Sequence, residues 1–147
     1  MTTSVRRMRP GDDAVVIAAA ALFDGPPTPE ATALFLARDG HHLLMAFDDD
    51  GADGERAVGF VSGVETTHPD KGTEMFLYEL AVAEDARNRG VGRSLVAALA
   101  DIARERGCYG MWVLTDDDNP AAVKAYEAAG GHQEPLTRLI AWEWPTG

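Results

Sequence analysis

Cysteine is nearly absent from this 147-residue chain. Its one thiol, Cys108, cannot close an internal disulfide, which fits a reducing, cytoplasmic setting. No sequence neighbour activates that thiol, so it reads as a small hydrophobe packed where a strand begins. Long apolar runs are missing too. None approaches the ~20 residues that cross a bilayer, and the two arginines of "MTTSVRRMRPGDD" have no apolar stretch behind them, which excludes a secretory signal. No membrane partner is expected. Basic side chains are scarce: Lys plus Arg is 13 against 24 Asp plus Glu, a formal net charge of -11. Without a basic face the chain is not a nucleic-acid binder, and its field favours a cationic small molecule instead. Repeats, low-complexity tracts and linkers are also lacking, so residues 1–147 read as one domain.

What is present alternates strand and helix patterns. Val5 to Met8 predicts a short strand, and "RPGDD" turns the chain into an alanine-rich helix over Asp13 to Leu22, broken by "DGPPTP". Thr28 offers a hydroxyl cap before Pro29, and "PEATALFLAR" repeats apolar residues at helical spacing. Strands at His42 to Phe47 and Ala57 to Glu65 flank "DDDGADGER", which predicts a hairpin with Asp48, Asp49 and Asp50 in a solvated tip. "EMFLYELAV" (74–82) is almost continuously apolar, as in a strand buried on both faces. Gly92 to Arg106 predicts an amphipathic helix with Leu95, Ala98, Leu99 and Ile102 on one face, ended by Gly107. "YGMWVLT" predicts a second central strand. Asn119 and Pro120 start a helix that Gly130-Gly131 stop, and "LTRLIAWEW" predicts a last strand. The order describes an α/β domain with a mixed sheet.

The link between the central strand and the long helix, "ARNRGVGRSL", holds Arg87-x-x-Gly90-x-Gly92. Glycines let backbone approach a ligand, and a helix N-terminus offers free amides to phosphate. Arg87, Arg89 and Arg93 add positive charge to an otherwise negative chain. No Gly-Lys-Ser/Thr follows, which excludes a Walker A loop, and Leu95 replaces the third glycine of a dinucleotide fingerprint. A diphosphate site and a tight turn with solvated arginines both remain open on these residues alone.

That turn behind "LAV", with Asn119-x-x-Ala122-x-x-x-Tyr126-x-x-x-Gly130 after the next strand, resembles the GNAT family of acetyl-CoA-dependent N-acetyltransferases. Within it, "LYELAV" and "TDDDNPAAVKAYEAAG" are similar to the type I aminoglycoside 3-N-acetyltransferases, with Glu79 where that group has Asp and Gly131-His132 for Gly-Phe. The resemblance implies a mixed, mostly antiparallel α/β (α+β) sheet flanked by helices, with splayed central strands. It implies acetyl-CoA as co-substrate, held by Leu80, Ala81 and Val82 on the strand and by Arg87, Asn88, Arg89, Gly90, Val91, Gly92, Arg93 and Ser94 in the turn. Asn119 and Tyr126 would flank the thiol, and Ala122 is small enough to let the coenzyme pass. It also implies a homodimer and an aminoglycoside acceptor, with another amine (a polyamine, a small metabolite or a protein N-terminus) as the alternative.

Three groups carry the expected chemistry. Glu79 interrupts an apolar strand, and an unpartnered buried carboxylate is costly. It is either half of a structural salt bridge or a group placed at a substrate amine, as anchor or as base. Tyr126 shares a helix face with Ala122, and its phenol is either packed or, as the resemblance implies, the acid for the departing thiolate. The amides of Leu80 and Val82 are candidates for the developing oxyanion. With Tyr78 and Glu79, the triplet Asp116, Asp117 and Asp118 is assigned to the cationic substrate. His41, His42, His68 and His132 show no metal-ligand spacing with Cys108 or a carboxylate pair, so no metal is expected.

Overall fold

The computed structural model describes residues 2–49, 54–135 and 137–145. Strands β1 (Thr3–Arg7), β2 (His41–Asp49), β3 (Glu55–His68) and β4 (Gly72–Val82) pair in chain order and antiparallel. β5 (Met111–Trp112) joins the edge parallel to β4. Helices α1 (Asp13–Ala18) and α2 (Pro29–Ala37) cover one face, and α3 (Val91–Glu105) covers the other, with α4 (Pro120–Ala128) packed on α3. This is the mixed, mostly antiparallel sheet flanked by helices that the family resemblance implies.

Local chemistry explains the helix ends. The Thr28 hydroxyl accepts from the Ala31 amide at 3.2 Å, and the Asn119 side chain accepts from the Ala122 amide at 3.2 Å. Each sits one residue before a proline whose missing N–H costs the first turn nothing. α3 ends where Gly107 takes φ +81° and the Cys108 amide reaches back to the Ala103 carbonyl at 2.9 Å. α4 ends in the same way, with Gly130 at φ +102° and the Gly131 amide on the Tyr126 carbonyl at 2.9 Å. A left-handed residue lets each terminal carbonyl find a donor.

The sheet feeds two cores by strand alternation. In β2, Leu43, Met45 and Phe47 meet α1 and α2, while Leu44 and Ala46 meet α3. The helix contributes Val91, Leu95, Val96, Leu99 and Ala103. Gly59 and Gly63 on β3 make room for it. A Cβ on Gly59 would lie 2.9 Å from the Ala81 carbonyl oxygen, whereas one on Gly63 would meet only the side-chain ends of Leu99 and Met75. Backbone cannot yield as side chains do. Gly59→Ala is therefore expected to cost about 1–3 kcal/mol, lowering Tm by several degrees, and Gly63→Ala less. Thermal melts of the two variants check this; a larger loss at Gly63 would contradict it.

The structure corrects several sequence expectations. β4 is not buried on both faces. Its register slips between Ser62 and Gly63, which pair with Glu79 and Leu77, so Tyr78 is the extra residue of a β-bulge. A bulge shifts side-chain parity by one. Met75 and Leu77 before it, and Leu80 and Val82 after it, all reach the α3 core. The apolar run looked continuous because two alternations of opposite phase are joined there. Asp48 is not in a solvated tip: it lies within β2 with a fully buried side chain. Residues 50–53, the rest of that tip, lie outside the described residues. No strand occurs over 137–145, and Trp142 and Trp144 are largely exposed. "YGMWVLT" contributes only two strand residues. A period-2 pattern makes a strand only where it pairs with a neighbour, and among the described residues β5 pairs with β4 alone.

Candidate active site

The bulge and the short β5 open the sheet. β4 and β5 pair only at Met75–Met111 and Phe76–Trp112, with the Met75 amide on the Gly110 carbonyl at 2.9 Å. Beyond Phe76 the two strands part. The Ala83 amide donates to the Val58 carbonyl of β3 at 2.8 Å, so alternation turns the peptide groups of Leu80 and Val82 away from β3, toward the gap. Arg87 enters from that side and donates from Nε to the Val82 carbonyl at 3.3 Å. An extended ligand could continue the sheet at this edge.

The turn at the end of β4 is tightly built. A 3₁₀ turn over Glu84–Ala86 buries Ala86, and then Asn88 takes φ +61° and Gly90 φ +79°. Asn88 is the only non-glycine with positive φ among the described residues. α3 starts at Val91 with no side-chain cap, so its first amides are left for a ligand, and the helix dipole favours an anion there. Arg93, on the first turn of α3, makes no ion pair with a described residue. Gly92 serves packing: a Cβ there would stand 3.3 Å from the Ala125 Cβ, so the glycine lets α4 lie close on α3. Arg89 points elsewhere, onto Asp48 of β2.

α4 brings Asn119, Ala122 and Tyr126 alongside α3. Tyr126 is half-buried against the α3 core, and burial pushes its phenol above the usual value of 10. It is a proton donor throughout the neutral range. Its hydroxyl has no hydrogen bond to a described residue.

On the opposite face of β4, a cleft of about 600 Å³ is lined by Phe23, Asp24, Gly25, Phe76, Tyr78, Glu79, Leu114 and Leu139. Phe76 stacks on Trp112 at 4.3 Å and meets Tyr78 edge-on, while Phe23 stacks on Phe60 at 4.1 Å. Glu79 forms no ion pair with a described residue, which leaves the structural salt bridge without a partner. Burial, and then the charge of Asp24, raise its carboxyl above the usual 4.5. Two carboxylates among aromatic rings make a site for a cation that can also take up a proton.

Of the residues assigned to the substrate, Tyr78 and Glu79 line the cleft and the aspartate triplet does not. Asp116, Asp117 and Asp118 are exposed on the loop between β5 and α4 and do not line it. Sequence reasoning missed Asp24 and Phe23. "DGPPTP" reads only as a helix break, and nothing local says that the broken end faces Glu79, 55 positions later in numbering. Among the described residues no three His, Cys, Asp or Glu side chains converge as for a metal ion, and no helix is long and apolar enough to cross a membrane.

Residues 14–131 match the family model described as Acetyltransferase (GNAT) family. Among curated relatives, a mycothiol acetyltransferase of Rhodococcus jostii is 33% identical over 95 residues, 63% of this chain and 30% of that protein. A streptothricin acetyltransferase of Streptomyces lavendulae is 34% identical over 80 residues, 54% of this chain and 40% of its own length. The matched stretch thus spans a third or so of these proteins. Among solved structures, an aminoglycoside acetyltransferase from an uncultured soil metagenomic sample, in complex with sisomicin, superposes with a TM-score of 0.84 at 16% identity, covering 97% of both chains. Aminoglycoside N-acetyltransferase AAC(6')-Iy, in complex with CoA, superposes with a TM-score of 0.75 at 21% identity, covering 97% of this chain and 95% of that one. At these identities the superpositions speak for the fold.

Proposed function

The chain belongs to the GNAT acetyltransferase family, and from that premise we propose that it acetylates an amino group of an aminoglycoside, with acetyl-CoA as donor. The observation that carries the reading is the paired Glu79 and Asp24 in an aromatic-walled cleft, directly across β4 from an uncapped helix N-terminus. The residues fit the coenzyme. The amides at the start of α3 suit a pyrophosphate, and the peptide groups of Leu80 and Val82 suit an extended pantetheine arm. When bound, the coenzyme supplies an acetyl thioester.

Each protein group has one task. Glu79 accepts a proton from the acceptor's ammonium, because only a neutral amine has the lone pair to attack a carbonyl. Asp24 holds a second positive charge of the same substrate. The amides of Leu80 and Val82 donate to the carbonyl oxygen as it gains charge. Tyr126 gives its phenolic proton to the departing sulfur, and the proton that the nitrogen sheds as it becomes an amide restores the phenol through solvent. Position 3 of the deoxystreptamine ring is the amine favoured by the "LYELAV" strand, and mapping the product by NMR decides between it and the 6' amine. The exposed triplet Asp116 to Asp118 is available to the rim of so large a polycation.

The test is release of free thiol from acetyl-CoA in the presence of gentamicin, sisomicin, spermidine and an alanyl peptide. Turnover with the aminoglycosides and none with the others is expected; turnover with spermidine or the peptide alone would overturn the acceptor assignment. Asp24→Asn should raise KM for the aminoglycoside about two- to fivefold, the worth of one solvent-exposed charge contact, with kcat little changed. The homodimer has a candidate surface in the exposed side chains of Leu139, Ile140, Trp142 and Trp144. Sedimentation of the protein, and of a Trp142→Ser/Trp144→Ser variant, tests it.

A further inference from the structure

Arg89 sits in the motif that should cradle the coenzyme, yet its guanidinium is already engaged. Nη1 donates to Asp48 Oδ2 at 3.0 Å, and Nη2 to Asp48 Oδ1 at 2.8 Å and to Thr3 Oγ1 at 3.0 Å. The Thr3 hydroxyl donates to Asp48 Oδ1 at 2.7 Å, so carboxylate, hydroxyl and guanidinium form a closed ring of contacts. The Asp48 side chain is 0% exposed and that of Arg89 30%. A bidentate pair with a buried carboxylate is directional and hard to exchange for water. It joins the end of β2, held at this point by β1, to a turn 41 residues away in sequence. That turn is irregular, with Asn88 in a left-handed conformation that asparagine adopts less freely than glycine, so a fixed contact helps hold its shape.

We propose that Asp48, with Thr3, is a positioning residue for coenzyme binding: it clamps Arg89 so that the 87–90 turn and the first amides of α3 stay set for a pyrophosphate. Arg89 then acts through the turn's shape and leaves phosphate contact to the backbone and Arg93. The proposal rests on the reading that this turn holds coenzyme A.

The two ideas separate in one titration series. Coenzyme A is titrated calorimetrically into wild type, Asp48→Asn, Arg89→Gln and the double variant, at a temperature where circular dichroism shows all four folded. A clamp predicts that each single change raises Kd about tenfold and that the double variant is no worse than either single one, since both break one unit. In turnover, KM for acetyl-CoA rises similarly while kcat at saturation stays within about twofold, a split that general loosening would not give. If Asp48→Asn binds coenzyme A as wild type does while Arg89→Gln alone weakens it, Arg89 contacts the phosphate directly and the clamp is wrong. If wild type itself does not bind coenzyme A, the reading of the turn fails and the clamp falls with it. Should Asp48→Asn not fold, Thr3→Val removes the third member from an exposed strand; a two- to threefold weaker Kd supports the clamp, and an unchanged Kd overturns it.

Discussion

Glu79→Gln is expected to lower kcat/KM for acetyl transfer by about 10²- to 10⁴-fold, the usual worth of a positioned general base. The pH profile carries more information than the loss itself. Burial and Asp24 raise the Glu79 carboxyl above 4.5. Its ionised form, the proposed base, therefore appears only above that raised value, and the acid limb of kcat/KM should lie higher than an ordinary glutamate would put it. Asp24→Asn removes one of the two causes, so the limb moves toward lower pH. Glu79→Gln removes the limb. The same shift acts on folding stability in the opposite sense. A carboxyl that holds its proton more tightly when folded stabilises fully below 4.5, and that contribution is lost as pH rises through the raised value. At pH 7 the Gln variant should therefore melt no lower than wild type. A variant with wild-type kcat/KM and an intact acid limb would remove Glu79 from the chemistry.

Tyr126→Phe is expected to reduce kcat by about 10²-fold or more, at the lower end of general acid–base effects, with KM for acetyl-CoA nearly unchanged. Only the hydroxyl is removed, and that hydroxyl has no hydrogen bond to a described residue, so packing of the ring on the α3 core survives and Tm should hold within a degree or two. The same raised phenol predicts the basic side of the profile. With its pKa above 10, Tyr126 stays protonated and kcat should not fall from its ionisation below that pH. The loss should narrow with an acetyl thioester whose thiol is more acidic, because such a thiolate leaves without a proton. Equal loss with both donors would assign Tyr126 a packing role.

Much of the frame was legible from residue order. Thr28 and Asn119 name their caps because the atoms that satisfy a helix start lie three residues apart in the chain. α3 shows itself by a stripe of Leu95, Ala98, Leu99 and Ile102, since helix periodicity is a property of consecutive residues. Arg87-x-x-Gly90 marks the turn because the left-handed backbone there needs a glycine at a set place. The parts that failed involve residues far apart. Asp48 stands in a run of three aspartates that reads as a solvated loop, and only β1 and the turn before α3, folded onto it, give it Thr3 and Arg89. Trp142 and Trp144 alternate as strand residues do, but alternation alone does not make a ladder, and residues 137–145 pair with no described strand.

By itself, then, the sequence determined the family motif, the helices with their caps, and the residue types available for acetyl transfer, because each depends on local spacing along one chain. Only the tertiary structure decided which carboxylates meet. The extra residue at Tyr78 bends β4 and reverses its side-chain parity, turning Glu79 into a cleft beside Asp24, while Arg89 is drawn away to Asp48. Parity at a bulge and pairing across a sheet depend on the register with a neighbouring strand, and register is set by the packing of the whole domain.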